Sequence, residues 1–380
     1  MSRHRRVIGR TAGALGAALL VLATAACVGE FPQSTFRPVT DFAREIDDLF
    51  TSIFWWTIIV LVVVEVGIVY ILVRFRARDG GPDARKIYGD NKLELFWTLI
   101  PAVIVVFITV PTVQTIFRTY RDAASSALVV EAIGPQWWWE FRYPELGIVT
   151  ANQLYLPVGR EIDIRLASAD VIHNFWIPRL GGKRYNYPVV ARPAEDEQRP
   201  NYHRLVFTIS EPGEYSGQCA EYCGLSHAIM RMNVIAVGPG AFERWTDAMR
   251  AGGYAAPSAP QAEAEAEAEA VAVPPPVGTL ERQGYDIFTT RACVACHTVN
   301  GTPARGQLGP NLTNFGNRWS VGAGALSNEL ENVMLWIRNP QAIKPGAKMP
   351  GTRTEGGGLP PTGLTDEEVR AVATYLLSLK

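Results

Sequence analysis

Apolar residues crowd into three runs before residue 118, and beyond them the pattern switches first to alternation and then to helical spacing. Residues 12–26 are apolar behind Arg3, Arg5, Arg6 and Arg10 and end on small residues, the order of an export signal over residues 1–26. Residues 53–73 and 95–117 are apolar for 21 and 23 positions, each long enough to cross about 30 Å of hydrocarbon at about 1.5 Å per residue. Arg74, Arg76, Arg78, Arg85, Lys86 and Lys92 lie between them, which places the connecting loop in the cytoplasm. Both outer ends of the predicted hairpin, and everything after Phe117, therefore face outward.

From about residue 127 to 238 the chain alternates. Ile162, Ile164 and Leu166 share one face, as do Leu205, Phe207 and Ile209, and Pro-Gly or Gly-Pro pairs punctuate the runs, predicting a β-sandwich or barrel. Residues 251–277 are dominated by Ala, Pro and Glu; Glu263 with Glu267 and Glu265 with Glu269 are like charges one helical turn apart, so an extended linker is expected. The last hundred residues are helical. Thr365 and Glu368 read as a capping box, followed by Val369, Val372, Ala373 and Leu376 on one helix face. The predicted architecture is a multidomain membrane protein: signal peptide 1–26, N-terminal segment and two-helix transmembrane hairpin 27–117, all-β domain 118–250, linker 251–277 and all-α domain 278–380.

Composition narrows the chemistry. The 380 residues carry a formal net charge of -1, and without a basic stripe there is no electrostatic case for nucleic acid. Four of the five cysteines form two close pairs, Cys219 with Cys223 and Cys293 with Cys296, a pattern unlike a disulfide framework. Cys27 follows Thr24-Ala25-Ala26, where lipidation of Cys27 and cleavage after Ala25 are both open. Glu65 lies mid-span, where lipid exposure is costly; it should face protein, bonded to a neighbouring subunit's helix, or else relay protons. Pro101 and Pro111 are tolerated in the second span because neighbouring helices can satisfy the freed carbonyls.

Within the alternating region lies Cys219-Ala-Glu221-Tyr-Cys223-Gly-Leu-Ser-His227-Ala-Ile-Met230, with His173 46 residues before Cys219. Two thiolates, imidazoles and a thioether are soft ligands suited to copper. One copper needs one thiolate; two invite a pair of ions bridged by both sulfurs, whereas zinc has no call for the methionine. A Cys219–Cys223 disulfide and a structural His173 are the bland alternatives. Met232, two residues beyond Met230, should point to the opposite face, and His203 reads as structural.

This constellation after a two-helix hairpin resembles subunit II of haem-copper cytochrome c oxidases, over residues of about 40 to 245. The resemblance implies a cupredoxin domain holding a binuclear CuA centre, with bridging thiolates from Cys219 and Cys223, imidazoles from His173 and His227, a weak axial Met230 and the backbone carbonyl of Glu221. It further implies that the Glu221 carboxylate reaches a magnesium ion at the boundary with subunit I. Gly134-Pro-Gln136-Trp137-Trp138-Trp139-Glu140 is similar to the family's aromatic segment, which makes Trp137 the residue where electrons enter. Glu94, three residues before Trp97, matches the family's glutamate at the mouth of a proton channel; by itself it is a favourable N-terminal helix charge.

Cys293-Val-Ala-Cys296-His297 is the attachment signature of haem c, both thiols bonded to the porphyrin and His297 bound to iron. A distal ligand is expected from Met349, which precedes Pro350 in a Gly- and Lys-bearing loop, because Met334 shares a core stripe with Leu330, Val333 and Ile337. Residues 278–380 resemble class I c-type cytochromes: Gly309-Pro310-Asn311-Leu312 supplies the carbonyl that orients the proximal histidine, and Gly284 and Phe288 match the contact between first and last helices.

The whole chain resembles the subunit II of caa3-type oxidases, with a fused cytochrome. That implies electrons accepted from cytochrome c or another upstream donor at the haem, passed to CuA and on to haem a in subunit I, where oxygen is reduced to water with proton translocation. Subunits I and III and the membrane are the implied partners, and the location implied is the plasma (inner) membrane with both cofactor domains on the periplasmic side. Three rivals share parts of this chemistry: a CuA-bearing small subunit of a nitric oxide reductase, a nitrous oxide reductase, and a copper carrier. Five histidines are too few for the second, and the haem is unexplained by the third. The linker of 27 residues would span about 30 Å and hold the cytochrome at roughly millimolar effective concentration; alternatively a docking surface holds it and the tether is incidental.

Overall fold

The structure, a computed structural model, describes residues 31–76, 88–188, 202–251 and 274–380. The signal peptide with Cys27, the loop residues Arg78, Arg85 and Lys86, and most of the linker lie outside the described residues. Thr35–Lys380 form one compact unit.

Helix α1 (Asp41–Arg74) starts where the Thr40 hydroxyl accepts the Ala43 N–H. It begins well before the apolar run because its first turn is already spoken for: Phe42 and Ala43 are buried, with Phe42 against Gly181, where even a Cβ would come within 2.6 Å of the ring. Helix α2 (Asn91–Thr119) is capped by Asp90, whose carboxylate accepts the N–H groups of Lys92 and Leu93. Trp56 stacks on Phe107 at 5.6 Å, and Arg118 pairs with Glu45 at 3.2 Å. Both helices are long and apolar enough to span a membrane, and α2 buries none of its residues within the chain, so its apolar surface is left for lipid or neighbouring helices. On α1, Glu65 is exposed.

The outer domain pairs two five-stranded sheets. Strands are β1 (Leu128–Gly134), β2 (Glu140–Tyr143), β3 (Ile148–Ala151), β4 (Gln153–Pro157), β5 (Glu161–Ser168), β6 (His173–Trp176), β7 (Arg184–Asn186), β8 (His203–Thr208), β9 (Gly213–Cys219) and β10 (Arg231–Val237). The sheet orders are β3-β2-β1-β5-β8 and β4-β10-β9-β6-β7. The predicted stripe of Ile162, Ile164 and Leu166 lies in the core with Leu205, Phe207 and Ile209, burial that supplies most of the stability of such a sandwich. Two elements escape the alternation. Val39 enters the sandwich core and Thr40 bridges to Ile209, so part of the segment before the hairpin serves the outer domain. Helix α3 (Pro239–Ala251) follows β10 and packs Trp245 on Tyr155 and Tyr143. His203 stands in phase with the core face yet is exposed at the strand's start, its ring edge-on to Tyr187.

The C-terminal domain consists of α4 (Leu280–Thr290), the short α5 (Cys293–Cys296), a two-stranded ribbon of β11 (Ser320–Val321) and β12 (Leu326–Ser327), α6 (Leu330–Arg338), the short α7 (Pro340–Ile343) and α8 (Asp366–Ser378). The capping box forms as the sequence predicts: Glu368 N–H donates to Thr365 Oγ1 and Thr365 N–H to the Glu368 carboxylate. Helices α4 and α8 cross at Gly284, where an added Cβ would lie 2.0 Å from the Ala371 carbonyl oxygen. Met334 is buried in the core of this domain with Val333 and Ile337.

Candidate metal and haem sites

The loop between β9 and β10 is closed by its own strands: Cys219 N–H donates to the Met230 carbonyl at 2.9 Å. Gly224, with φ of 113°, turns the chain in a conformation that glycine adopts without strain, and a single 3-10 turn, His227–Ile229, follows. The loop folds its sulfur and nitrogen atoms inward. Cys219 Sγ lies 3.8 Å from Cys223 Sγ, 3.8 Å from His173 Nδ1 and 3.2 Å from the Glu221 carbonyl oxygen. Cys223 Sγ lies 3.6 Å from His227 Nδ1 and 3.9 Å from Met230 Sδ.

His173 arrives from the neighbouring strand, because β6 pairs with β9 at Phe175 and Cys219. The sulfurs are free thiols, too far apart for a disulfide of about 2.05 Å. They are close enough to share an ion, since two bonds of about 2.3 Å span at most about 4.6 Å. Ligand atoms of His173, Cys219 and Cys223 all lie within 4.8 Å of one another. This soft donor set fits a copper pair. Met230 is fully buried at the site, while Met232 is buried in the core.

The electrostatics favour a thiolate at one of the two sulfurs: hydrogen bonding from the Cys223 thiol holds Cys219 well below the usual thiol range, while the Cys219 thiolate and burial push Cys223 up. Burial opposes charge on His173, but its bonds to Asp170 and Cys219 outweigh it and raise its pKa. Asp170, which no motif announced, accepts the Gln136 and Val171 N–H groups and contacts His173 Nε2 at 3.1 Å, turning Nδ1 toward the sulfurs. The only signal for it was an acid three residues before a histidine.

Trp137 touches this centre directly. Its indole N–H donates to the Cys223 carbonyl at 2.9 Å, and Gln136 Nε2 donates to the same oxygen at 2.8 Å. Trp139 is core, and Trp138 is partly buried. The Glu221 carboxylate lies beside Tyr185, whose hydroxyl pKa it raises. Glu94 sits in the first turn of α2 on an exposed face.

In the C-terminal domain His297 Nδ1 bonds the Pro310 carbonyl at 2.8 Å, leaving Nε2 free to bind iron. Burial and nearby Arg318 lower the His297 pKa against that bond, so the ring is neutral and ready to ligate. Gly309 is obligatory there, because a Cβ would lie 2.6 Å from His297 Cε1. Burial raises both Cys293 and Cys296. Cys293 and Met349 both flank the domain's core, and the Met349 carbonyl is fixed by Gln341 Nε2 at 2.6 Å. The thiols, imidazole and thioether fit a covalent haem.

The two domains meet. Lys344, just ahead of the Met349 loop, donates to the carbonyls of Trp137 and Ile229 in the copper domain and Gly322 in its own. Burial pushes its pKa down to about 7. Gly346, with φ of 83°, lies so close to Trp137 that a Cβ would come within 2.6 Å of the ring. Ser226 Oγ donates to the Pro345 carbonyl at 2.7 Å and Arg231 N–H to the Ala323 carbonyl at 3.1 Å.

Family profiles match in the order the domains occur. That of the cytochrome c oxidase subunit II transmembrane domain covers residues 34–115, that of its periplasmic domain 146–237, and that of cytochrome c 282–380. Cytochrome c oxidase subunit 2 of Alkalihalophilus pseudofirmus is 31% identical over 368 residues, 95% of each chain. The chain belongs to this family. Cytochrome c oxidase subunit 2 of Bacillus subtilis is likewise 31% identical, over 100% of this chain and 99% of its own. The periplasmic domain of subunit II of cytochrome oxidase of Bradyrhizobium japonicum, 25% identical, covers 34% of this chain and 98% of its own at a TM-score of 0.30. Membership makes the chain the subunit II component of a haem-copper oxidase, an oxidoreductase complex, with subunit I as its partner in a membrane. The β-domain implies CuA and the C-terminal domain haem c.

Proposed function

We propose that this chain receives electrons for the oxidase: they arrive at the cytochrome domain from cytochrome c or another donor, cross to the copper domain at Trp137, and leave for haem a of subunit I, where oxygen is reduced to water and protons are translocated. When bound, the haem c and the copper pair supply one-electron chemistry with little rearrangement. The observation that carries this reading is one line of contact, in which the loop before Met349 lies on the Trp137 ring and the Trp137 N–H bonds the Cys223 carbonyl. Cys219, Cys223, His173, His227, Met230 and the Glu221 carbonyl hold the copper. Cys293 and Cys296 would anchor a haem c covalently, and His297 and Met349 would bind its iron. Such a site works by holding its donors still, and Asp170, Gln136 and Pro310 do that here.

The Glu221 carboxylate, beside Tyr185, is the group that would reach a magnesium ion at the subunit I boundary. Glu65 would bond a helix of a neighbouring subunit, and subunit III completes the complex. Both cofactor domains lie on the periplasmic side of the plasma membrane.

Electron paramagnetic resonance of the purified complex is expected to show an unpaired electron shared equally by two coppers, beside the optical bands of a low-spin haem c. A single-ion copper pattern, or a native Cys219–Cys223 disulfide, would refute the assignment. Glu94 is proposed to admit protons to subunit I. Glu94→Gln should slow turnover while copper and haem spectra stay as they were; unchanged turnover removes that role.

A further inference from the structure

Hydrogen bonds between the cytochrome and copper domains end on backbone carbonyls, and two of them come from one side chain. Lys344 is only 4% exposed, and its three ammonium donors are matched by three carbonyl oxygens at 2.5, 2.6 and 2.9 Å, the full capacity of the group. Two of those oxygens belong to the copper domain. Burying an ammonium ion is unfavourable unless every donor is met, so this contact selects one pose and penalises all others, the way a buried polar group fixes register.

Glycine at 324 and 346 permits the same closeness. A Cβ at Gly324 would come within 2.8 Å of Arg231 Cβ, and one at Gly346 within 2.6 Å of the Trp137 ring. Trp137 is left 8% exposed. At the rim, Lys348 Nζ reaches Asp170 at 3.6 Å, but it is largely exposed, and such a pair contributes little.

We propose that Lys344 is a latch that seats the cytochrome domain on the copper domain in one fixed pose and reserves Trp137 for the chain's own haem, closing that indole to a free donor protein. This rests on the reading of Trp137 and the two centres given above. A soluble donor then loads the haem and never the copper, and the covalent linker is incidental to the speed of the internal transfer.

Amide hydrogen exchange on the purified complex tests the latch. In Lys344→Met the amides of Arg231 and of residues 346–348 are expected to exchange at least about tenfold faster than in the parent, with haem and copper absorption retained. Soluble cytochrome c carrying zinc in place of iron, which donates an electron when photoexcited, supplies a second readout. In the parent the haem band should respond before the copper signal falls; in the variant the copper should be reduced directly. Gly346→Ala acts at the boundary alone and should produce both changes even where Lys344→Met fails to assemble. Unchanged exchange in whichever variant assembles, or direct reduction of copper in the parent, overturns the latch. Absence of a copper-pair signal in the parent would instead strike the functional reading, and the exchange data would still decide the docking.

Discussion

Cys223→Ser is expected to abolish the copper pair and lower turnover of the complex by about 100-fold or more, while the sandwich keeps its melting temperature. Cys223 Sγ is the hub of the donor set, 3.8 Å from Cys219 Sγ, 3.6 Å from His227 Nδ1 and 3.9 Å from Met230 Sδ. A serine oxygen fills nearly the same space but is a hard, weakly acidic donor that does not bridge copper ions. What remains is Cys219 with His173 and the Glu221 carbonyl, a set for one ion, so the spectrum should turn into that of a single copper. Cys219→Ser leaves the other half, Cys223 with His227 and Met230, whose thiolate, imidazole and thioether suit a lone blue-type copper. The two variants should therefore differ in colour while sharing the loss of electron sharing. Survival of the shared-electron pattern in either would mean that the sulfurs do not bridge.

Gly284→Val should have the largest effect on stability. Helices α4 and α8 touch there almost backbone to backbone, with space for hydrogen alone: the added Cβ would meet the Ala371 carbonyl at 2.0 Å and Tyr375 Cβ at 2.7 Å. Neither neighbour can swing aside, since one is backbone and the other a fully buried ring that also packs on Phe288 and Tyr285. Forcing the helices apart should cost the cytochrome domain about 3 kcal/mol or more. Helix α4 leads directly into Cys293, so covalent haem yield should fall with it. The copper domain has a separate core, and its spectrum should persist. Thermal melting followed at the haem band, with haem stain and copper absorption on the same sample, checks both halves. A normal haem yield together with an unshifted melt would contradict so tight a crossing.

The residues that could be read from the chain are those whose chemistry is local. Cys219 to Met230 sit on one loop, and Cys293 to His297 on one turn, so their spacing along the chain is nearly their spacing in space. The capping box and the Val369–Leu376 stripe are legible for the same reason: helical periodicity turns sequence distance into a face. The two spans were legible because lipid imposes a minimum apolar length. His173 is different. Alone it is one histidine in a strand, and only the company of two cysteines, a second histidine and a methionine drew it toward Cys219; what seats it is strand pairing across 46 residues, followed by Asp170 turning its ring.

Asp170, Arg318 and Lys344 escaped entirely. Arg318 is buried, with its guanidinium on the Asn311 carbonyl, yet in sequence it is one of 36 basic residues. Lys344 sits in an ordinary Lys-Pro-Gly turn and acquires its character from carbonyls of Trp137, Ile229 and Gly322, three segments with no sequence relation to one another. The alternation likewise carried no sign of Val39 in the sandwich or of α3 beneath it, because both are amphipathic pieces whose partner surface belongs to another element.

By itself the amino-acid sequence determined which groups are proposed to hold copper and haem, and which lengths of chain read as spans, sheet or helices, because those properties follow from side-chain chemistry and short-range periodicity. Only the tertiary structure decided how the two centres meet. Whether the cytochrome swings on its tether or sits on Trp137 turns on a lysine ringed by three backbone carbonyls and on two glycines packed against the Trp137 ring and the Arg231 side chain, partners that only folding brings together from segments far apart in the sequence.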